Sequence, residues 1–242
     1  MEMTTVIAVN DLEKVYATGQ TEVVALQKVS FCVCRGDIVG LIGNNGAGKT
    51  TTLHVLLNLI PESSGTCDVF LDRANKSMWD SVSFVPEDNI FPGHLSGVEY
   101  CKLMYMLRNN KSITNGEILN RLRAQGLVNE DTVLKRISTY SKGNKRMLGV
   151  AESLLYNPEL VVLDEPFEGL DPHNQALLEG TIRRYSEENE VTFLVSTHSI
   201  DKVKSMCTRV VFLKRGKIVL DADVKELKDS PEKLRGLYEN PS

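Results

Sequence analysis

The chain lacks the features that would let it cross a membrane or grip nucleic acid. No apolar run approaches the roughly 18 residues that a spanning helix needs, so a soluble or peripheral protein is expected. Basic residues do not dominate: 28 Lys and Arg stand against 32 Asp and Glu, for a formal charge of −4. That balance leaves no broad cationic surface, and no nucleic-acid partner is expected. Its five cysteines are Cys32, Cys34, Cys67, Cys101 and Cys207, an odd and scattered set with no further Cys/His cluster to complete a metal site. With no leader-like segment, they are expected to be reduced thiols buried as small hydrophobes. There is a single tryptophan, Trp79, and no internal repeat or low-complexity segment. The 242 residues, 42% of them hydrophobic, suffice for one large α/β domain, or a core carrying one substantial insertion.

One stretch organises the rest. Gly43 to Thr51, GNNGAGKTT, follows the apolar run Ile38 to Ile42 and fits G-x-x-x-x-G-K followed by Ser or Thr. Its glycines let consecutive N–H groups curl around an anion, and the helix expected from Thr50 aims its positive end at the same point. A triphosphate suits that cradle. Lys49 would reach the β- and γ-phosphates, and the Thr50 hydroxyl would hold Mg²⁺, a cation that prefers oxygen ligands. Leu53, Leu56, Leu57 and Ile60 give the helix one apolar face, and Pro61 is expected to end it.

Upstream, Val6–Val9, Val23–Leu26 and Val29–Val33 read as short strands of a small antiparallel sheet, with a turn over Ala17 to Gln20. Tyr16 by itself is an ordinary strand aromatic. Downstream, Cys67–Leu71 and Val82–Val85 read as strands; Pro86 stops the second, and Trp79 is expected to pack beneath it. From about Asp88 to Leu160 strand signals vanish. Ser96 to Glu99 is a capping box opening a helix over Tyr100 to Leu107, in which Met104 and Met106 read as core filling. Ile118, Leu119 and Leu122 mark a second helix ended by Gly126, and a third runs from about Asn144 to Tyr156. This block reads as a helical insertion. Leu160–Leu163 and Val191–Val195 are then buried strands, separated by a helix that Asp171 and Pro172 open. A hairpin follows, Val210–Leu213 with Lys217–Leu220, and the tail after Val224 is polar.

Chemistry gathers at the strand ends. Asp164 and Glu165 close the Leu160 strand, where an open α/β sheet presents its ligands. Asp164 can hold the nucleotide's Mg²⁺, and Glu165 can polarise an attacking water. His198 ends the next strand and can donate to a γ-phosphate, whereas His54, His94 and His173 read as structural.

Taken in order, GNNGAGKTT, YSKGN at Tyr140 to Asn144, VVLDEP at Val161 to Pro166, GLD at Gly169 to Asp171 and STHS around His198 resemble the ATP-binding cassette (ABC) ATPases. The resemblance spans nearly the whole chain. It implies a P-loop NTPase core with a RecA-like, mostly parallel sheet over about 1–87 and 160–224. An N-terminal antiparallel β subdomain, an inserted helical subdomain over about 88–159 and a short tail over 225–242 complete it. It implies ATP and Mg²⁺ as cofactors, held by Gly43, Asn44, Asn45, Gly46, Ala47, Gly48, Lys49, Thr50 and Thr51, with Tyr16 stacking on adenine and Asp164 on the metal side. Lys49, Glu165 as base and His198 at the γ-phosphate would be catalytic, and Asp171 would lie at a dimer seam. Ser141 and Gly143 would face the nucleotide of a second ATPase subunit, identical or paralogous. A separate transmembrane permease would anchor the pair at the cytoplasmic face of the membrane.

The chain departs from the family's commonest pattern at three places. YSKGN replaces LSGGQ, putting Lys142 at a glycine's position and Asn144 at a glutamine's. Glu87 takes the place of a glutamine that senses metal and transport subunit, and can still ligate Mg²⁺. Asn44 stands where many members carry proline. A short single cassette with Pro86-Glu87 is similar to bacterial subunits that energise exporters of drugs, peptides or polymers. Ile90-Phe91-Pro92 is expected to be exposed and to receive a permease helix. An alternative is a soluble, non-transport ABC ATPase acting on a macromolecule. A GTPase switch would need N-K-x-D, and Asn75-Lys76-Ser77-Met78 ends in methionine.

Overall fold

The computed structural model describes residues 4–19, 21–70 and 77–228. The chain opens with β1 (Thr5–Thr18) and β2 (Thr21–Cys34), then β3 (Ile38–Ile42), α1 (Lys49–Leu56), β4 (Ser64–Val69), α2 (Met78–Ser81) and β5 (Val82–Val85). Helices α3 (Gly97–Asn109), α4 (Asn115–Gln125), α5 (Glu130–Val133) and α6 (Lys142–Ser153) follow without a strand between them. Then come β6 (Leu160–Asp164), α7 (Pro172–Asn189), β7 (Thr192–Thr197), α8 (Ile200–Met206), β8 (Arg209–Lys214), β9 (Lys217–Asp223) and α9 (Val224–Lys228).

Two sheets result. The smaller is antiparallel in the order β2-β1-β4; the larger runs β5-β6-β7-β3-β8-β9, with only β9 antiparallel to its neighbour. Every residue of β3, β6 and β7 is buried, as the continuous apolar runs require of a parallel sheet covered on both faces. Successive side chains go to opposite layers. Val161, Leu163, Phe193, Val195, Val210 and Phe212 join a core built with α3, α4, α6 and α7. Val162, Leu194, Val211 and Leu213 join a second core with α1 and the antiparallel sheet. Gly40 lies in β3 where α8 comes closest: an added Cβ would sit 2.7 Å from Val203 Cγ2.

Several elements differ from expectation. Val23–Leu26 and Val29–Val33 are one strand, β2, carried through Lys28 at φ 50 and paired to β1 with register shifts, so a bulge replaces the expected break. Helix α1 stops at Leu56 rather than Pro61, because Asn58 turns left-handed at φ 53, a conformation asparagine tolerates. Leu53, Leu56 and Leu57 are nonetheless buried. Trp79 lies on α2 and is 40% exposed instead of covered by β5, and Met106 is 39% exposed rather than core. Cys34, Cys101 and Cys207 are buried, but Cys32 and Cys67 only partly. Leu71, expected to end a strand, lies outside the described residues, as do 229–242 of the tail.

The helix signals hold. Ser96 caps α3 and takes Glu99 Oε2 on its backbone N–H at 2.8 Å. Thr114 and Glu117 make a second box on α4, which ends at Gly126 with φ 74. Among the described residues no helix is long and apolar enough to cross a membrane.

Candidate functional site

β3, β5, β6 and β7 are parallel and finish on one edge of the large sheet, and each hands over to a polar segment. β3 leads into Gly43, β5 into Pro86 and Glu87, β6 into Glu165, and β7 into His198.

The loop after β3 is held from both sides. Ala47 N–H donates to Asn44 O at 3.0 Å, Gly216 N–H to Ala47 O at 2.9 Å, and Gln27 N–H to Gly216 O at 2.7 Å. The β8–β9 turn and β2 thereby fix the loop's outer rim. Gly48 has φ 108, and a Cβ there would fall 2.8 Å from both Ala25 O and Leu26 Cδ2, so only glycine fits. From that point α1 begins, leaving its first amides without intrahelical partners and aimed at the loop's hollow.

Beneath the loop the charged groups interlock. Lys49 is 6% exposed; its Nζ donates to Gly43 O at 2.6 Å and lies 3.0 Å from Glu165 Oε1. The other carboxylate oxygen of Glu165 is 3.0 Å from His198 Nδ1. Glu165 takes φ 45, a left-handed backbone uncommon for a non-glycine residue, and its N–H is held by Ser196 Oγ at 2.9 Å. The Ser196 hydroxyl in turn donates to Asp164 Oδ1, while Thr50 Oγ1 donates to Asp164 Oδ2 at 2.9 Å. Arg146, from α6, is buried below; its Nη1 donates to Pro86 O at 2.7 Å and Asp164 O at 3.5 Å, and burial lowers its guanidinium pKa. Burial, then the charges of Glu168 and Asp164, push the Glu87 carboxyl up from the usual carboxylate range.

These groups open into a cleft of about 730 Å³. Its lining holds Asn44, Asn45, Gly46, Ala47, Gly48, Lys49, Thr50, Thr51, Tyr16, Glu87, Glu165 and His198, so most of the residues singled out in sequence do converge. Gly43 and Asp164 lie just beneath, reached through Lys49 and Thr50. Ser141 and Gly143 are not part of this lining: Ser141 Oγ accepts Asn144 N–H at 3.1 Å to cap α6, and Gly143 packs against Gly169 and Leu170. Asp171 caps α7 by accepting Asn174 N–H at 3.0 Å.

Sequence reasoning missed Val23, Val24, Ala25 and Glu168 in the lining, and Arg146 and Ser196 below it. Ser196 carried a faint signal, being polar in the buried run that continues β7; Arg146 carried none, since it lies on the face of α6 opposite Leu148 and Ala151. The amide cradle with Lys49 fits a polyphosphate, and the all-oxygen set of Thr50 and Asp164 fits a hard cation.

A phosphate-cradling loop between a buried parallel strand and a helix, with two acids at the next strand's end, defines an α/β protein of the P-loop nucleotide-binding class. A family model described as "ABC transporter" matches residues 26–168. The bacitracin transport ATP-binding protein BcrA of Enterococcus faecalis is 32% identical over 230 residues, covering 94% of this chain and 72% of that protein. The chain belongs to the ABC transporter ATP-binding family. It is an ATP-binding, ATP-hydrolysing subunit of such a transporter. Among solved structures, a dimeric ATP-binding cassette in a post-hydrolysis state with ADP and phosphate shares the fold, at TM-score 0.80 and 20% identity over 90% of this chain and 98% of that one. The cbiO1 subunit of Clostridium perfringens, part of the transporter complex cbiONQ, shares it at TM-score 0.75 and 24% identity, covering 97% and 94%.

Proposed function

We propose that the cleft binds ATP with Mg²⁺ and that hydrolysis there drives export through a separate membrane permease. The observation that carries the reading is the convergence of Lys49, Glu165 and His198 with the Thr50–Asp164–Ser196 ladder directly beneath the glycine cradle. Tyr16 takes the base, and Gly43 to Thr51 wrap the phosphates. Thr50 and Asp164, with Glu87 at the edge, would hold the cation, which when bound would offset charge on the transferred phosphoryl group. Lys49 gives up Glu165 for phosphate, which frees the carboxylate to accept a proton from the attacking water, while His198 keeps it oriented and reaches the γ-phosphate.

Ser141 and Gly143, outside this cleft, serve the nucleotide of a second cassette, and Asp171 lies at the seam. The subunit then divides into a core over about 1–87 and 160–224 and a helical part over about 88–159, and works at the cytoplasmic face of the membrane. Support for transport through a partner comes from relatives such as the bacitracin transport protein and the cbiONQ subunit. Ile90, 94% exposed, is the residue offered to the permease. Phe91 is not free for that role, since its ring stands edge-on to Tyr100 with centroids 5.0 Å apart. Ile90→Asp is therefore expected to weaken co-purification with the permease while leaving free-subunit ATPase in place; undiminished co-purification removes Ile90 from the interface.

The reading as a whole is tested with Glu165→Gln. Turnover should fall about 10²-fold or more while ATP binding and nucleotide-dependent dimerisation persist. Turnover at the parental rate would take Glu165 out of the reaction.

A further inference from the structure

The peptide bonds that lead into two acids of the cleft, Glu87 and Glu165, are both reached by one side chain from outside it. Arg146 lies in the second turn of α6 and is 2% exposed. Its Nη1 donates to Pro86 O at 2.7 Å and, in a longer and weaker contact, to Asp164 O at 3.5 Å. Pro86 O belongs to the peptide unit that supplies Glu87 N, and Asp164 O to the unit that supplies Glu165 N. Each unit is planar, so one guanidinium nitrogen orients both planes. The Asp164–Glu165 peptide is gripped at its other edge as well, since its N–H donates to Ser196 Oγ at 2.9 Å. The grip falls where the backbone is least content to stay: Glu165 stands at φ 45, a conformation that its surroundings must impose.

The same face of α6 makes a second contact with the loop after β5. Gly149 is three residues beyond Arg146 and therefore its neighbour on the helix surface. An added Cβ there would come within 3.2 Å of Asn89 Oδ1 and Nδ2, so the segment after Glu87 rests on bare helix. The loop is thus met on both sides of Glu87, at Pro86 and at Asn89. Stability alone does not account for an arginine here. Its Nη2 is buried without a hydrogen-bond partner among the described residues, and the adjacent Met147 and Val150 belong to the core. Burying a guanidinium with a nitrogen unmatched carries a cost that an apolar side chain would not.

We infer that Arg146 is a positioning residue for hydrolysis, which holds the carbonyls of Pro86 and Asp164 and so keeps Glu87 and Glu165 in fixed relation to each other and to α6. Arg146 does not line the cleft, so it acts through the two backbones. Because α6 starts at the Ser141 cap, a shift of that helix tip reaches both acids through one side chain. The inference rests on the cleft being the ATP site.

The test uses the full chain carrying Arg146→Met, which keeps much of the side chain's bulk and removes its donors. In the nucleotide-free protein, amide hydrogen exchange over 87–90 and 165–168 should quicken about tenfold, with the interiors of β6 and β7 as protected as before. Loss of hydrogen bonds from a charged donor should lower kcat about tenfold, while ATP affinity by titration calorimetry stays within about twofold. Arg146→Lys, which still offers a donor, should recover part of the lost kcat. Gly149→Ala presses on Asn89 without altering the arginine, and should show the same split at about threefold; it carries the test if Arg146→Met does not fold. Exchange that rises evenly through α6, β6 and β7, with kcat per folded molecule unchanged, makes the arginine a structural residue and overturns the inference. So does an affinity that falls in step with kcat, which would put Arg146 on nucleotide binding. A parent chain that does not bind ATP would instead sink the assignment of the cleft.

Discussion

At the end of the cleft proposed to take the phosphates, Lys49, Asp164 and Glu165 are 6%, 1% and 7% exposed, and each is held by at least two protein groups. At the opposite end, Tyr16, Val23 and Val24 are 38%, 54% and 48% exposed and present apolar surface at the end of a two-stranded ribbon. The buried end has few degrees of freedom left: moving one carboxylate disturbs a lysine, a histidine and a serine together. Its dipoles are oriented before any substrate arrives, which is where electrostatic catalysis draws its advantage. The exposed end has contact area without enforced geometry. Chemistry should therefore respond to changes at one end, and affinity alone at the other.

The largest effect is expected from Lys49→Ala. It removes the cation the phosphates require and strands Glu165 as a buried charge without its ion-pair partner. Turnover should fall by about 10²-fold or more, with nucleotide affinity falling as well. If isothermal titration found ATP bound as tightly as before, the buried end would not be the phosphate end, and the contrast would fail.

Ser196→Ala probes the same end more gently. The hydroxyl both accepts Glu165 N–H and donates to Asp164, so its loss leaves a buried amide unpaired beside the left-handed Glu165. An unmade buried hydrogen bond costs about 1–3 kcal/mol, enough to lower kcat roughly tenfold or more if it is felt in the transition state. Steady-state kinetics should show the loss in kcat with KM near the parental value. A change confined to KM would mean that the ladder only binds.

The same contrast decides what could be read from sequence. The phosphate end was legible because its parts are covalent neighbours: Gly43 to Thr51 lie on one loop, and Asp164 and Glu165 are adjacent at a strand end. His198 was legible because parallel strands align their ends. Of the exposed end only Tyr16 was legible, through the family resemblance; Val23 to Ala25 were not, since they reach the cleft through the pairing of β2 with β1 and the tie from Gln27 to Gly216, neither of which has a local signature. The bulge at Lys28 hid the continuity of β2 for the same reason. Arg146 escaped because it sits on α6 beside Met147 and Val150, where only the carbonyls of Pro86 and Asp164 explain a buried guanidinium. Ser141 was legible as a motif, yet one subunit does not show its use, because it caps its own helix and lies outside the cleft lining.

Tyr16 offers the finest division between the two ends. Its ring lines the cleft, and Lys14 Nζ stands 5.1 Å from the ring centroid, a cation–π contact that limits the ring's freedom from the neighbouring strand position. Stacking of an aromatic side chain on a base is worth about 1–3 kcal/mol, and a half-exposed ring belongs at the lower part of that range. Tyr16→Ala should then raise KM for ATP by about fivefold and leave kcat within about twofold, while Tyr16→Phe keeps the parental KM because the ring face does the binding. The ratio of ATP to GTP turnover should barely move, since stacking accepts any base. A Tyr16→Ala enzyme that lost kcat in step with Ser196→Ala would show that the two ends act as one unit, and that the exposed end is as tightly coupled to the chemistry as the buried one.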